Sequence, residues 1–543
     1  MPGWNFADVW EVIADVLPDA PAQIQGERRL TWQQFDQRAD GVARRLLDLG
    51  VAREDKVSQY LYNCPEYLES TFACMKAGLV PVNTNYRYAE DELVYLWDNA
   101  DAVAVIFHGT FADRIAGLRE RLPKVRLWLW VDDGSGPCPA WAEPYEGAAS
   151  ARPGRTTGPW GRDGDDIYML STGGTTGMPK GVMYRQDDLF SMLNSSNGSR
   201  QYRATGPGPD PDLGAVRAQL EARGPGPVTL PAPPLMHGTG GLTAMNVMNQ
   251  GGAVVTLEGR TFDVEELLDT IQRERVNSMA IVGDAFAKPM LAALEANPGR
   301  WDITSLFAIM SSGVMWSQET KEGLLRHHPR VLLADMFSSS EALGMGTSVS
   351  TGGGAAKTAK FTITDRTRVL TEDGRDVVPG SGEVGMLAVR GFTPIGYYKD
   401  PEKSARTFRE IDGHRWSIPG DFATVDADGT LQVLGRGSVC INTGGEKVYP
   451  EEVEEVLKTH PSVRDAVVVG VPDDRFGEAI TAMVEPHPGG EIDEQDVIRH
   501  VKSRLSAYKA PKRVFRIDTV GRSPSGKVDY KRLKADAEVL SAR

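Results

Sequence analysis

The stretch 166–181, DIYMLSTGGTTGMPKG, constrains this chain more than any other. An apolar, strand-like run enters eleven residues, Ser171 to Gly181, that hold four glycines, four hydroxyl residues and one lysine. Without a Cβ, glycines such as Gly173, Gly174 and Gly177 let backbone N–H groups close on an anion. Ser171, Thr172, Thr175 and Thr176 add hydroxyl donors, and Lys180 adds a mobile positive charge. A phosphate-binding loop is expected. The Walker pattern needs a Gly-Lys-Ser/Thr ending before a helix. Here Met178 and Pro179 separate Gly177 from Lys180, and Gly181 follows, so a P-loop NTPase is disfavoured. The alternative, a flexible Gly/Thr linker, rarely follows an apolar strand at this hydroxyl density.

At 543 residues the chain calls for several structural units. With 41% hydrophobic and 25% charged residues it is globular, not disordered. Lysine plus arginine is 60 against 74 acids, a net charge of −14, which argues against nucleic acid or anionic lipid as main partner. Four cysteines (Cys64, Cys74, Cys138, Cys440), with no C-x-x-C pair, are neither a disulfide framework nor a zinc site, and a reducing cytoplasm is expected. The opening MPGWNFADVW lacks a signal-peptide pattern, and the final VLSAR carries no prenylation box. The longest apolar runs, 102–107 and 466–471, fall well short of the ~20 residues that span a bilayer.

No fixed-period repeat is present. Residues 31–50 predict a helix with Thr31 as cap, Gln34 completing a capping box, Phe35, Ala39, Val42, Leu46 and Leu49 on one face, and Gly50 ending it. Strands at 56–62 and 102–107, with a helix at 65–77 between them, predict an α/β sheet. Residues 133–164 read as connecting loop. The Gly/Pro-rich stretches 206–212 and 223–227, flanking a short helical piece, read as a surface insertion. The final hundred residues predict a small α+β unit: helix 450–461, strands 463–471 and 479–485, a helix near 493–506 and a strand at 513–517. The boundary is placed near Gly435–Ser438, giving units 1–436 and 437–543.

The segment 171–181 resembles the signature loop of the adenylate-forming (AMP-binding) superfamily: acyl-CoA synthetases, peptide-synthetase adenylation domains and luciferases. Further motifs follow in that family's order over nearly the whole chain. The resemblance implies a large N-terminal domain of α/β sheets with a β-barrel-like part, plus a small mobile α+β C-terminal domain, with the site between them. In PPLMHGTG (233–240), His237 alone reads as a packed or capping residue; the resemblance makes it orient the acid. In SSGVMWS (311–317), Ser312 and Gly313 alone read as a turn; the resemblance lays them against adenine. In DMFSSSE (335–341), it implies that Phe337 stacks on adenine, Ser340 contacts phosphate and Glu341 holds Mg²⁺ together with Thr172. Serine stands at 338 where the family has glycine, and at 340 where it has threonine. Asp421, in WSIPGD, would accept the ribose hydroxyls, and Arg436, in LGRG, would reach the ribose. Taken alone, Glu341 and Lys527 read as solvated charges and Asp421 as an ordinary turn residue.

At the hinge the family often carries Gly-Arg-x-Asp-Asp; here Ser438 and Val439 take the aspartate places, next to permissive Gly437. TGGEKVYP (443–450) resembles the loop lining a pantetheine tunnel, with Gly444, Gly445 and Glu446 at the cofactor. RSPSGKVDY (522–530) places Lys527 where the family has its catalytic lysine. The resemblance implies ATP, Mg²⁺ and coenzyme A as cofactors, and a small carboxylic acid as substrate. The acid's oxygen would attack the α-phosphorus, Lys527 would bridge acid and phosphate, and CoA thiol would then take the acyl group. The expected activity is an AMP-forming acyl-CoA synthetase. The run STGGTTGMPKGVMYRQDDL and the Gly/Pro insertion resemble actinobacterial synthetases for lipid and steroid side-chain acids, so the acid is expected to be fatty or sterol-derived. The alternatives are a stand-alone enzyme loading a carrier protein (mildly disfavoured, since no carrier domain follows residue 543), a luciferase-like oxidase and a non-catalytic nucleotide sensor. A homodimer is among the assemblies left open.

Overall fold

The computed structural model describes residues 3–174, 177–195, 212–314, 316–436, 441–443, 446–473, 477–505, 507–523, 526 and 528–542. Two compact units emerge. The larger is built from residues up to Gly174, from Met178–Thr358 and from Arg390–Ser417; the smaller from Ala359–Val389 and from Ile418 onward.

The larger unit holds two eight-stranded sheets. In the first, the strands Lys56–Tyr60, Val80–Asn83, Ala102–His108 and Leu127–Val131 pair in parallel. All seven residues of Ala102–His108 are buried, as a strand covered on both faces requires. The strands Ile167–Gly174, Gly177–Arg185 and Gly396–Tyr397 continue this sheet in turn beyond Val80–Asn83. In the second sheet, Val228–Pro231, Ser278–Ile281, Ala308–Ser311 and Leu332–Ser339 run parallel in that order, and Ala342–Ser350 closes one edge antiparallel.

The predicted helix at 31–50 spans Trp32–Leu47, and both bonds of the Thr31–Gln34 capping box form. Phe35, Ala39, Val42 and Leu46 are fully buried, while Leu49 falls beyond the helix end. The helix predicted at 65–77 is Pro65–Ala77 and carries Lys76, which is wholly buried. Its ammonium lies 2.6 Å from Asp36, 2.8 Å from Glu11 and 2.9 Å from Asp40. Arg162 closes on Glu11 at 2.8 Å and Arg155 on Asp36 at 3.1 Å. A buried charge survives only when paired and hydrogen-bonded, and here the chain supplies every partner. Burial pushes the Asp40 carboxyl up to about 6 against the pull of Lys76, while the surrounding carboxylates hold the Lys76 ammonium above its ordinary value against its own burial.

In the smaller unit the hairpin Asp421–Val425 and Leu431–Arg436 pairs with Lys360–Phe361. The last hundred residues form the predicted α+β arrangement. Strands Val463–Asp473 and Gly477–Pro486 pair antiparallel, Arg513–Arg516 adds in parallel, and helices Pro450–Lys458 and Glu494–Lys502 bury Val453, Leu457, Val497 and Val501. The expected hinge at 437–440 lies outside the described residues. Within the insertion, the helical piece is Leu213–Arg223, capped by Asp212 and anchored by fully buried Val216 and Leu220; 196–211 lie outside the described residues. Among the described residues no helix is long and apolar enough to cross a membrane.

Candidate functional site

The expected eleven-residue loop is largely strand. Ile167–Gly174 carries Ser171 and Thr172, and Gly177–Arg185 carries Lys180; Thr175 and Thr176 lie outside the described residues. A second strand, where a Walker motif has a helix, agrees with the exclusion of that motif. Of Gly173, Gly174 and Gly177 only the backbone is described. Ser171 is buried, and among the described residues its hydroxyl has no hydrogen-bond partner. Its backbone N–H donates to Asn83 Oδ1 at 2.6 Å. The Asn83 amide in turn donates to the Ser171 carbonyl and to the Met236 carbonyl, both at 2.7 Å. One buried asparagine at a strand's carboxyl end thus fastens the phosphate segment to the residue preceding His237.

His237 caps the helix Gly238–Met248; its N–H donates to the Pro234 carbonyl at 3.0 Å, and its own carbonyl accepts from Gly241 at 2.8 Å. A Cβ at Gly240 would strike the Pro234 carbonyl oxygen, so this turn admits only glycine there.

The strands Leu332–Ser339 and Ala342–Ser350 pair with Ser339 opposite Ala342, leaving Ser340 and Glu341 as a two-residue turn. Three groups hold it. The Tyr184 hydroxyl donates to the Ser340 carbonyl at 3.0 Å, the Tyr397 hydroxyl to Glu341 Oε1 at 2.8 Å, and the Ser417 hydroxyl to the Glu341 carbonyl at 2.6 Å. Ser338, the serine in the glycine place, accepts the Gly344 N–H at 3.0 Å and so closes the hairpin. Ser312 and Gly313 follow the strand Ala308–Ser311, which lies beside and parallel to the strand bearing Phe337. The adenine-turn candidates and the Phe337–Glu341 segment therefore leave one sheet at neighbouring carboxyl ends, where ligands bind in open α/β sheets. Gly313 has φ +97, a conformation that calls for glycine.

Tyr397 is placed by pairing opposite Val182, in the strand of Lys180. The next helix, Pro401–Thr407, sets the Lys403 ammonium 4.4 Å from the Tyr397 ring centre. Burial first, then the adjoining Lys180 ammonium, pushes Lys403 down to about 8. Sequence reading missed Asn83, Tyr184, Tyr397 and Lys403. Only Asn83, a polar end to an apolar strand, carried a local signal.

In the smaller unit, Asp421 is buried and sits directly across the hairpin from Arg436, of which only the backbone is described. Glu446 opens the strand Glu446–Val448, again described by backbone alone. Gly444, Gly445 and Lys527 lie outside the described residues.

For a magnesium ion, the described residues contain no cluster of three or more carboxylate, histidine or cysteine ligands. That fits a cation that keeps its waters and binds through one or two protein oxygens plus phosphates. A buried carboxylate at Glu341 and the Thr172 hydroxyl have the right chemistry for those protein oxygens.

The AMP-binding enzyme family model matches residues 10–398, and the model for the AMP-binding enzyme C-terminal domain matches residues 452–527. A medium/long-chain-fatty-acid–CoA/3-oxocholest-4-en-26-oate–CoA ligase from Mycobacterium marinum is 41% identical, over 99% of this chain and 97% of its own. A 3-oxocholest-4-en-26-oate–CoA ligase from Rhodococcus rhodochrous is 40% identical, over 97% of this chain and 95% of its own. Among solved structures, ATP-bound MatB from Rhodopseudomonas palustris superposes with a TM-score of 0.80 at 25% identity, covering 99% of this chain and 100% of that one. The two-sheet architecture, the Gly/Thr hairpin beside the glutamate turn, and these matches along nearly the whole length lead to one conclusion: the chain belongs to the AMP-binding enzyme family.

Proposed function

We propose that this chain is an ATP-dependent acyl-CoA synthetase that converts a hydrophobic carboxylic acid to its acyl-adenylate and then to the CoA thioester, releasing pyrophosphate and AMP. The observation that carries the reading is the fastening of the Ser340–Glu341 turn to the Gly/Thr hairpin strand by the Tyr184 hydroxyl, with Tyr397 paired to that same strand and bonded to Glu341. A phosphate-binding segment and an acidic turn held in register suit a nucleoside triphosphate with its divalent cation.

In this reading Ser171, Thr172, Lys180 and Ser340 hold phosphate oxygens. Gly173, Gly174, Thr175, Thr176 and Gly177 complete the cradle. Phe337, Ser312 and Gly313 hold the base, while Asp421 and Arg436 hold the ribose. Glu341 and Thr172 would hold Mg²⁺, which supplies charge neutralisation at the phosphates. His237 orients the acid. Lys527 bridges the acid and the α-phosphate while the carboxylate oxygen displaces pyrophosphate. The division into 1–436 and 437–543 then has a use: a small domain pivoting at Ser438 exchanges Lys527 for the 443–450 loop, where Gly444, Gly445 and Glu446 line the thiol's path. The acid is a medium- to long-chain fatty acid or a steroid side-chain acid, as the names of the full-length relatives suggest, and the compartment is the cytoplasm.

ATP–pyrophosphate exchange over a panel of fatty, steroid side-chain, acetic and amino acids tests this. Exchange with the hydrophobic acids, followed by acyl-CoA on adding CoA, is expected. Adenylate without acyl-CoA would favour a carrier-loading enzyme, and no exchange with any acid would overturn the proposal. Lys527→Ala is expected to abolish exchange yet leave thioester formation from supplied acyl-adenylate largely intact.

A further inference from the structure

Lys403 lies outside every motif considered above, yet its helix sits beside the strand of Lys180. The pairing of Gly396–Tyr397 with Met183 and Val182 brings the helix Pro401–Thr407 to the hairpin. There the Tyr398 N–H donates to the Gly181 carbonyl at 2.8 Å, so the chain leading into that helix runs beside Lys180, and the nearby Lys180 ammonium adds to burial in pushing Lys403 down. Two neighbouring like charges repel, the more so in a partly buried site. The chain offsets this only in part: Lys403 lies over the electron-rich face of Tyr397, 4.4 Å from its centre, and Glu341 and Asp400 attract it, but among the described residues no carboxylate comes within ion-pair distance of either lysine. The Tyr397 hydroxyl, meanwhile, is bonded to Glu341. The Asp400 carboxylate caps the helix by accepting the Lys403 backbone N–H at 3.0 Å. A site that gathers two cations with no carboxylate at ion-pair distance among the described residues suits an anion carrying more than one negative charge.

We infer that Lys403 is a second cation for the departing pyrophosphate, acting with Lys180 on the β- and γ-phosphates. This rests on the acyl-CoA synthetase reading and extends it to a residue outside the family motifs. The two lysines divide the work by position. Lys180 comes from the hairpin strand; Lys403 comes from a helix across it, so the two approach the phosphates from different elements. Charge accumulates on the β-phosphate oxygens as the bond to the α-phosphorus breaks, and a second ammonium there favours the transition state over bound ATP.

The test measures binding and exchange on the full-length protein. Calorimetric titration with magnesium pyrophosphate, and separately with AMP, is done on wild type, Lys403→Met and Lys403→Arg, with thermal melts to confirm folding. One lost charge-assisted contact corresponds to about 10–150-fold in affinity. Pyrophosphate affinity is expected to fall by that order in Lys403→Met, with AMP affinity unchanged and most of the loss recovered in Lys403→Arg. In exchange assays the KM for pyrophosphate is expected to rise in parallel. Equal weakening of both ligands, or no change in pyrophosphate affinity, would overturn the inference. If Lys403→Met does not fold, Lys403→Gln takes its place under the same criteria. Wild type that binds neither ligand and exchanges with no acid indicts the broader reading instead, so the two failures are distinguishable.

Discussion

Two sites in the larger unit treat the same side chain in opposite ways. Lys76 is sealed from solvent and ringed by Glu11, Asp36 and Asp40, all within 2.9 Å. Lys180 and Lys403 are half-buried neighbours and, among the described residues, have no carboxylate at ion-pair distance. The first cation is satisfied by the chain and serves stability, joining the helices Phe6–Val16, Trp32–Leu47 and Pro65–Ala77. The second pair has no carboxylate in ion-pair contact among the described residues, an arrangement that a bound anion would complete. Cation burial alone does not mark a functional site; how far the chain neutralises the cation is the better guide.

The contrast predicts separable phenotypes. Lys76→Met removes the cation shared by three buried carboxylates, leaving Glu11 to Arg162 and Asp36 to Arg155 but Asp40 without an ion pair among the described residues, and is expected to lower unfolding free energy by about 3–5 kcal/mol in urea titration, with kinetic constants of the folded fraction unchanged. A loss under about 1 kcal/mol would mean the cluster is hydrated. Lys180→Met should do the reverse: pyrophosphate exchange falls about 10²–10³-fold while stability moves by less than about 0.5 kcal/mol. A large drop in stability with unchanged exchange would erase the distinction.

Between these extremes lies Asn83. Asn83→Ala leaves the Ser171 N–H and two carbonyls without partners and is expected to cost about 1–3 kcal/mol. It should also weaken ATP binding, since the Ser171 strand loses its anchor; intact ATP affinity would detach Asn83 from the site. The smallest effect concerns pH. The Asp40 carboxyl is raised to about 6 in the fold against about 3.9 unfolded, so between these values the folded state holds the extra proton. Its contribution is complete below about pH 4 and is lost as pH rises through about 6. The stability difference between wild type and Asp40→Asn should therefore decline over that interval and level off above it. A flat difference would contradict the raised value.

What the sequence disclosed follows from how far each signal travels along the chain. The Thr31–Gln34 box spans four residues, and its helix was legible to the cap. The apolar run at 102–107 announced a strand by composition alone, and the structure extends it to His108. The Gly/Thr segment was recognised for its composition, but it was read as a loop because glycine and threonine density hides the strand pairing that continues to Gly174. Lys403 and Tyr397 were invisible for a different reason. They reach the site only because Tyr397 pairs with Val182, a pairing that no window of neighbouring residues contains. Glu341 and Asp421 were located by motif, not by local physics, since a lone acid beside a turn has the same appearance whether it binds a ligand or only water.

The Asn83 bridge has a bearing on redesign. One amide supports both the nucleotide strand, at Ser171, and the segment that presents His237, at Met236. Reshaping the 233–236 segment to admit a bulkier acid would tug on the same peg. Selections for altered acid preference should therefore return variants with collateral shifts in nucleotide KM, and second-round repairs should cluster around this asparagine.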